Sequence, residues 1–367
     1  MNTQVIAGLV PQVWQKELYK DVADGMYFTQ NNQMGKDSNK VIQIKDELAK
    51  VKGDRVTFGL SPKLSGNGVD GDADLEGQEE SSTQYSQSVL INQKRFGVRL
   101  QGQLTEQKAA YDMRMEAKEK LAIRMMEFQE RQIMMKLGGV TTTTLTDVNG
   151  VTYSADATWS NSPAAVPTAD EAAGSGSRYV CSKSTGIDAI ADTDIFTTTL
   201  ITKARVKAKL ASPAIQPLRI DGENYYIMYI HPWQEADLKT ASGSVWAQAQ
   251  REAQVRGDKN PLFTGALGVW DKVILFDHEY VPTAATGAAF AVGGTATAAR
   301  VFRALLCGRQ AGVFAQCKNP NGFVEKAFDY NNKVGYATGL IGGFQKATLN
   351  SLDYGVISVD TGATNLG

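Results

Sequence analysis

At 367 residues the chain exceeds the usual size of one compact domain, leaving room for two lobes or for one lobe with long extensions. Hydrophobic residues at 43% and charged residues at 21% exclude wholesale disorder, a collagen-like repeat and a coiled-coil rod. Lys plus Arg number 38 against 39 Asp plus Glu, a formal net charge of -1, so no bulk positive field draws the chain to nucleic acid or an anionic membrane.

From the N-terminus, residues 1–52 mix short apolar pieces with polar linkers. Trp14, Leu18 and Tyr19 lie in a stretch with too little patterned surface for a core of its own, which predicts an arm that lies on something else. The start carries no basic segment ahead of an apolar run, so no signal peptide is expected and the cytosol is the expected compartment. From Gly53 the pattern alternates. Val56, Phe58 and Leu60 point one way and Arg55, Thr57 and Gly59 the other, as in a half-buried strand. A second alternating run follows at Phe96, Val98 and Leu100, preceded by Val89 to Ile91. Between the two runs lies a Gly- and Asp-rich tract, residues 65–82, which predicts a long two-stranded arm with an acidic tip. Such a ribbon buries little area alone and is expected to lie on another surface.

Thr105 offers a helix N-cap, and Ala110, Met113, Ala117, Leu121, Met125 and Phe128 recur at spacings of three or four up to Gly138 and Gly139, so one helix over residues 106–137 is expected, ~48 Å long at 1.5 Å per residue. Its other face interleaves Lys108, Arg114, Lys118, Lys120, Arg124 and Arg131 with Glu116, Glu119, Glu127 and Glu130; mixed signs at these spacings read as a solvated, self-paired face. Residues 140–178 form a surface excursion rich in Thr, Ser, Ala, Gly and Pro. Helical spacing resumes at 192–211, an apolar strand at 225–230, helical segments at 233–238 and 245–255, and strands at 273–276, 299–306, 336–344 and 354–359. Residues 281–299 are too weakly apolar for a membrane span and read as an inserted loop. Strands and helices mix without βαβ alternation, which predicts an α+β fold.

The chemical motifs dissolve on inspection. Gly66 to Gly71 matches the GxGxxG dinucleotide fingerprint literally, but Asp72, Asp74, Glu76, Glu79 and Glu80 follow where an apolar helix should begin and would repel phosphate, so turn chemistry is the reading. Asp70, Asp72 and Asp74 resemble the first half of a calcium loop, yet its sixth position is Leu75 and its twelfth Ser81, which defeats the geometry. His231, before Pro232, reads as a core-edge imidazole bonded to backbone. His278, between Asp277 and Glu279, would have its pKa raised by those neighbours but has no nucleophile or metal-spaced partner. Cys181, Cys307 and Cys317 cannot all pair and include no CxxC, against a disulfide scaffold or zinc knuckle. No catalytic, cofactor-binding or metal residues are assigned.

Several blocks, taken together and in order, resemble one family: residues 13–18 (VWQKEL), 34–39 (MGKDSN), 52–60 (KGDRVTFGL), 75–80 (LEGQEE), 231–233 (HPW), 247–257 (AQAQREAQVRG), 260–268 (NPLFTGALG) and 353–361 (DYGVISVDT). The series is similar to the major capsid proteins of tailed phages related to coliphage N-four, over nearly the whole chain apart from residues 140–178 and 281–299. The resemblance implies a Hong Kong 97 (HK97) type of capsid fold. Its parts would be an N-terminal arm (1–52), an extended E-loop (53–102), a peripheral domain (103–190) with a spine helix over 105–137, a mainly axial domain (191–335), and C-terminal strands (336–367) returning to the core.

It also implies a structural protein without cofactors, forming homo-hexamers and homo-pentamers of an icosahedral shell assembled in the host cytoplasm. The shell would enclose double-stranded DNA without sequence-specific binding or membrane contact, with portal, scaffolding or decoration proteins as further candidate partners. The expected contact residues are Trp14, Leu18, Tyr19, Val56, Phe58, Leu60, Asp70, Asp72, Asp74, Glu76, Glu79, Glu80, Phe96 and Val98. A tail tube or fibre protein, and then a cytosolic α+β enzyme, are the alternatives; neither explains a single spine helix of this length together with a partner-dependent arm.

Overall fold

The computed structural model describes residues 25–47, 53–61, 64, 66, 68–71, 74–81, 84–109, 112–140, 144–146, 152–154, 178–183, 190–220, 222–241, 267–285, 300–317, 323–349 and 352–364. The chain opens with α1 (Tyr27–Gln30), β1 (Met34–Gly35) and β2 (Ile42–Lys45), then β3 (Arg55–Leu60), β4 (Tyr85–Leu90), β5 (Asn92–Arg99), α2 (Gln103–Lys108) and α3 (Met113–Leu137). Next come β6 (Thr144–Thr146), β7 (Thr152–Ser154), β8 (Tyr179–Cys181), α4 (Thr198–Leu210), β9 (Leu218–Ile220), β10 (Glu223–Ile230) and α5 (Pro232–Ala241). The remainder is strand: β11 (Gly268–Trp270), β12 (Val273–Asp277), β13 (Thr283–Ala285), β14 (Arg300–Cys307), β15 (Gly312–Gln316), β16 (Phe323–Phe328), β17 (Lys333–Lys346), β18 (Thr348–Leu349), β19 (Leu352–Asp353) and β20 (Val356–Thr361).

Two sheets organise these elements. The first runs β1-β2-β15-β17-β16, with β5 also paired to β17; the second runs β11-β12-β10-β14-β20-β8, with β9 on β10 and β13 on β14. The first sheet carries α3: Phe128 meets Phe96 edge-on at 5.5 Å, and Ala117 and Leu121 pack with Leu100, Val334 and Tyr336. The second carries α4 through Leu200, Ile201, Ala204 and Ala208, set against Val180, Met228, Ile230, Leu306 and Val359. Helices and sheets are thus mixed without a doubly wound order, and the α+β expectation holds.

The expected single helix over 106–137 is corrected. Thr105 lies inside α2, and Ala109 turns the chain to an extended ψ of 137°. Asp112 then restarts it, its Oδ1 accepting from Arg114 N at 2.9 Å and Met115 N at 3.2 Å. A capping carboxylate offers the backbone an alternative to helical bonding, and the apolar spacing continues through the break, which is why the pattern reads as one helix. The spine helix is therefore the 25 residues of α3, ~37 Å long.

Two further boundaries move. The expected arm over 1–52 ends earlier, because Met26, Phe28, Met34, Val41 and Ile42 are buried in the main core and β2 pairs in parallel with β15. Trp14, Leu18 and Tyr19 lie outside the described residues, as do the helical expectation at 245–255 and most of the two insertions. The second strand of the hairpin is β4, registered from Arg55↔Leu90 to Leu60↔Tyr85, whereas β5 leaves the hairpin to pair with β17 from Arg99↔Gly335 to Asn92↔Gly342.

Two buried ion pairs cross the fold. Arg303 of β14 meets Asp360 of β20 with two bonds of 2.8 and 2.7 Å and donates a third, of 3.0 Å, to the carbonyl of Gly138 at the end of α3. The pair therefore ties the second sheet to the spine helix. Lys346 at the end of β17 lies 2.8 Å from the carboxylate of Asp353.

Candidate subunit-contact surface

The hairpin β3–β4 is rooted in the body and free at its tip. At the root, Val56 and Val89 are buried with Val313 and Ala315 of β15, and Phe58 is half-buried beside them. Gln87 finishes the anchorage: its Nε2 donates to Lys346 O at 2.9 Å and its Oε1 accepts from Thr348 N at 2.9 Å. The side chain thereby bonds the backbone where β17 ends and β18 begins, as a neighbouring strand would. Nothing in the sequence pattern signals this role, since a polar residue in an alternating strand reads simply as solvent-facing.

Beyond the root, Leu64 and Leu75 of the loop are exposed. Asp70, Asp74, Glu76, Glu79 and Glu80 are all exposed; Asp72 and the side chain of Leu60 lie outside the description. Positive φ at Gly68 (71°) and Gly71 (68°) shows what the GxGxxG match is for: these are left-handed turn positions, where glycine avoids a Cβ clash. Two of the acids hold the loop locally, Glu80 accepting from Gly66 N at 2.5 Å and Glu79 from Gly77 N at 2.7 Å. Among the described residues no group of three His, Cys, Asp or Glu side chains is placed to hold a metal.

Phe96 and Val98 have a different place from the rest of the expected contact set. Both sit on β5 facing α3, half-buried in the subunit's own packing with Leu121 and Tyr336. Their alternation reports this internal face.

The histidines are interior. His231 is buried, its Nδ1 accepting from Trp233 N at 3.2 Å, as the core-edge reading has it. His278 departs from expectation: burial, with the nearby His231 adding to it, lowers its pKa to about 4, where its sequence neighbours would raise it. It stacks on Phe28 and meets Tyr27 edge-on at 4.5 Å. Its Nδ1 accepts from Tyr280 N at 3.1 Å, and its Nε2 lies 3.8 Å from Glu130 on α3. Glu130 in turn accepts from Tyr27 N at 2.6 Å, and burial raises its carboxyl pKa despite that bond. This cluster fastens α1 to the spine helix and the end of β12. Cys181, Cys307 and Cys317 are buried free thiols.

Among the described residues a packed body carries the charged β3–β4 hairpin, and comparison with known proteins gives the chain a family. The phage capsid protein family matches over residues 12–365. The chain belongs to that family. The major capsid protein of Pseudomonas phage KPP25 is 28% identical, over 95% of this chain and 93% of its own length. Among solved structures, the capsid of Ralstonia phage GP4 superposes with a TM-score of 0.79 at 28% identity, covering 93% of this chain and 92% of that one. The capsid of cyanophage Pam1 shares the fold at a TM-score of 0.69 and 22% identity, over 91% and 92% of the two chains. The HK97-type capsid fold follows, with β3–β4 in the place of the E-loop and α3 as the spine helix.

Proposed function

We propose that this chain is the shell-building subunit of a phage head. Copies of it join as hexamers and pentamers of an icosahedral shell that encloses double-stranded DNA, and the shell assembles in the host cytoplasm. Portal, scaffolding or decoration proteins would be its other partners. The role is structural, in keeping with membership of the phage capsid protein family. The single observation that carries the reading is the hairpin. It is anchored at its base by Val56, Val89 and Gln87, yet among the described residues its loop carries no buried apolar side chain. A two-stranded ribbon of this kind gains stability by lying on a neighbour, and a closed shell supplies one at every position.

The test is to purify the full chain, concentrate it under assembly conditions and image it, beside a variant in which residues 64–81 are replaced by a short turn. Shells from the parent, and a soluble, folded but unassembled variant, are expected. A parent that stays a compact monomer under every condition overturns the reading. Rings or fibres in place of shells would instead favour a tail component.

A further inference from the structure

The inference rests on the shell reading and names the surface that receives the hairpin loop of a second copy. The sheet of β5, β17 and β16 gives one face to α3. Its other face follows from register: Arg99↔Gly335↔Lys326 forms one cross-strand row, Gly97↔Ala337↔Val324 the next, and Arg95↔Gly339 the third. Residues directly opposite one another share a face, so three cations stand around a floor of glycine and alanine. The floor is functional packing space. A Cβ at Gly335 would lie 2.9 Å from the Phe328 ring, and one at Gly339 would lie 3.0 Å from Cγ of Arg95, so these glycines let both side chains lie down on the sheet. The guanidinium of Arg99 sits over the Phe328 ring at 4.5 Å, with the ammonium of Lys326 at 5.1 Å. Stacking of this kind holds a guanidinium in place with its donors still open.

Arg95, Arg99 and Lys326 are exposed, and among the described residues none of the three forms an ion pair. The cations of the spine helix differ, since Arg114 meets Glu106, Lys120 meets Glu116 and Arg124 meets Glu127. One more pair, Lys333 with Asp329 at 3.6 Å, closes the margin of the face. The acidic loop is the complement: Asp70, Asp74, Glu76 and Glu79 are exposed, and no basic residue lies between Lys63 and Lys94 to offset them. We propose that the outward face bearing Arg95, Arg99 and Lys326 is the docking surface for the acidic hairpin loop of a neighbouring copy of this chain. Between the side chains laid over Gly335 and Gly339, exposed Gly97 and half-buried Ala337 leave room for an extended segment to approach the sheet. The three cations neutralise what the loop cannot neutralise within itself.

Charge exchange tests this. In the full chain, R95E/R99E/K326E reverses the face and D74K/E76K/E79K reverses the loop; all six positions are exposed, and far-UV circular dichroism verifies that each variant folds. The yield of DNA-free shells at low salt, measured by sedimentation and micrographs, is expected to fall about tenfold or more for either triple variant, and to recover substantially when both triples are combined, as complementary interfaces do. Combined variants that assemble no better than the single sets overturn the proposal, as does a reversed face that assembles like the parent. A reversed face that builds normal empty shells but packages less DNA would overturn it in favour of a nucleic-acid-facing surface. Failure of the parent itself to form shells would strike the underlying reading instead, so the two failures are distinguishable.

Discussion

The second sheet and the β3–β4 hairpin are built from the same kinds of residues to opposite ends. In the second sheet every residue of β20 is buried, and its fully buried charge pair, Arg303 with Asp360, has its partners inside the chain. In the hairpin, burial stops at Val56 and Val89 and the charges gather at the exposed tip, where Glu79 and Glu80 each accept from a backbone amide. The comparison teaches that charge in this protein is sorted by reach. Near the centre it welds elements of one subunit, and at the periphery it is left available to another.

The largest expected effect lies in the sheet. Arg303→Met strands a buried carboxylate and the Gly138 carbonyl, and should cost about 3 to 5 kcal/mol in urea unfolding. Adding Asp360→Leu should return most of that loss, since the cost belongs to the unpaired charge; a double variant as unstable as the single one would show that packing, not charge, is the weld.

Next is His278, whose pKa of about 4 stands below its unfolded value. The unfolded chain therefore binds the proton first, and stability present above pH 6.5 is lost as pH falls toward 4, to a limit of about 3 kcal/mol. His278→Asn keeps an acceptor for Tyr280 N and should flatten that slope in unfolding measured across this window. An unchanged slope would place the acid sensitivity elsewhere.

At the root of the hairpin, Gln87→Ala leaves the Lys346 carbonyl and Thr348 amide without their side-chain partner. A loss of about 1 to 3 kcal/mol is expected, together with impaired assembly, because the hairpin loses its set direction. At the tip, replacing Glu76, Glu79 and Glu80 with Gln should move subunit stability by no more than about 0.5 kcal/mol. Assembly should nevertheless weaken more at low salt than at high salt, because screening already removes part of what the substitutions delete. Equal assembly of mutant and parent across the salt range would leave a merely solvated turn.

Much of the fold is legible in the sequence for a physical reason. Strands such as β10, β12, β14 and β20 are buried on both faces and read as apolar runs, and the half-buried β3 alternates as a strand should. What escapes is anything decided at long range. The break at Ala109 hides under an uninterrupted apolar period, and β1 and β2 are too short to announce that they join a sheet formed some 270 residues later. Phe96 and Val98 alternate in the same way whether they face a neighbour or their own helix. For His278 the adjacent carboxylates in sequence mislead, because burial among Tyr27, Phe28 and Tyr280 outweighs them. The acidic tip is plain in the sequence, whereas the basic face opposite it becomes visible only when register brings Arg95, Arg99 and Lys326 onto one side of three strands.

The fourteen residues of β17 have a mechanical consequence. The strand extends ~46 Å at about 3.3 Å per residue and alone joins both halves of the first sheet, bonded to β16 and then β15 along one edge and to β5 along the other. Tension drawn along it loads those bonds in shear, many at once, whereas force applied across it would open them one after another. A wall under outward pressure is stretched in its own plane. A subunit whose longest strand lies in that plane would behave as a stiff tie, yielding late and abruptly rather than early and by degrees.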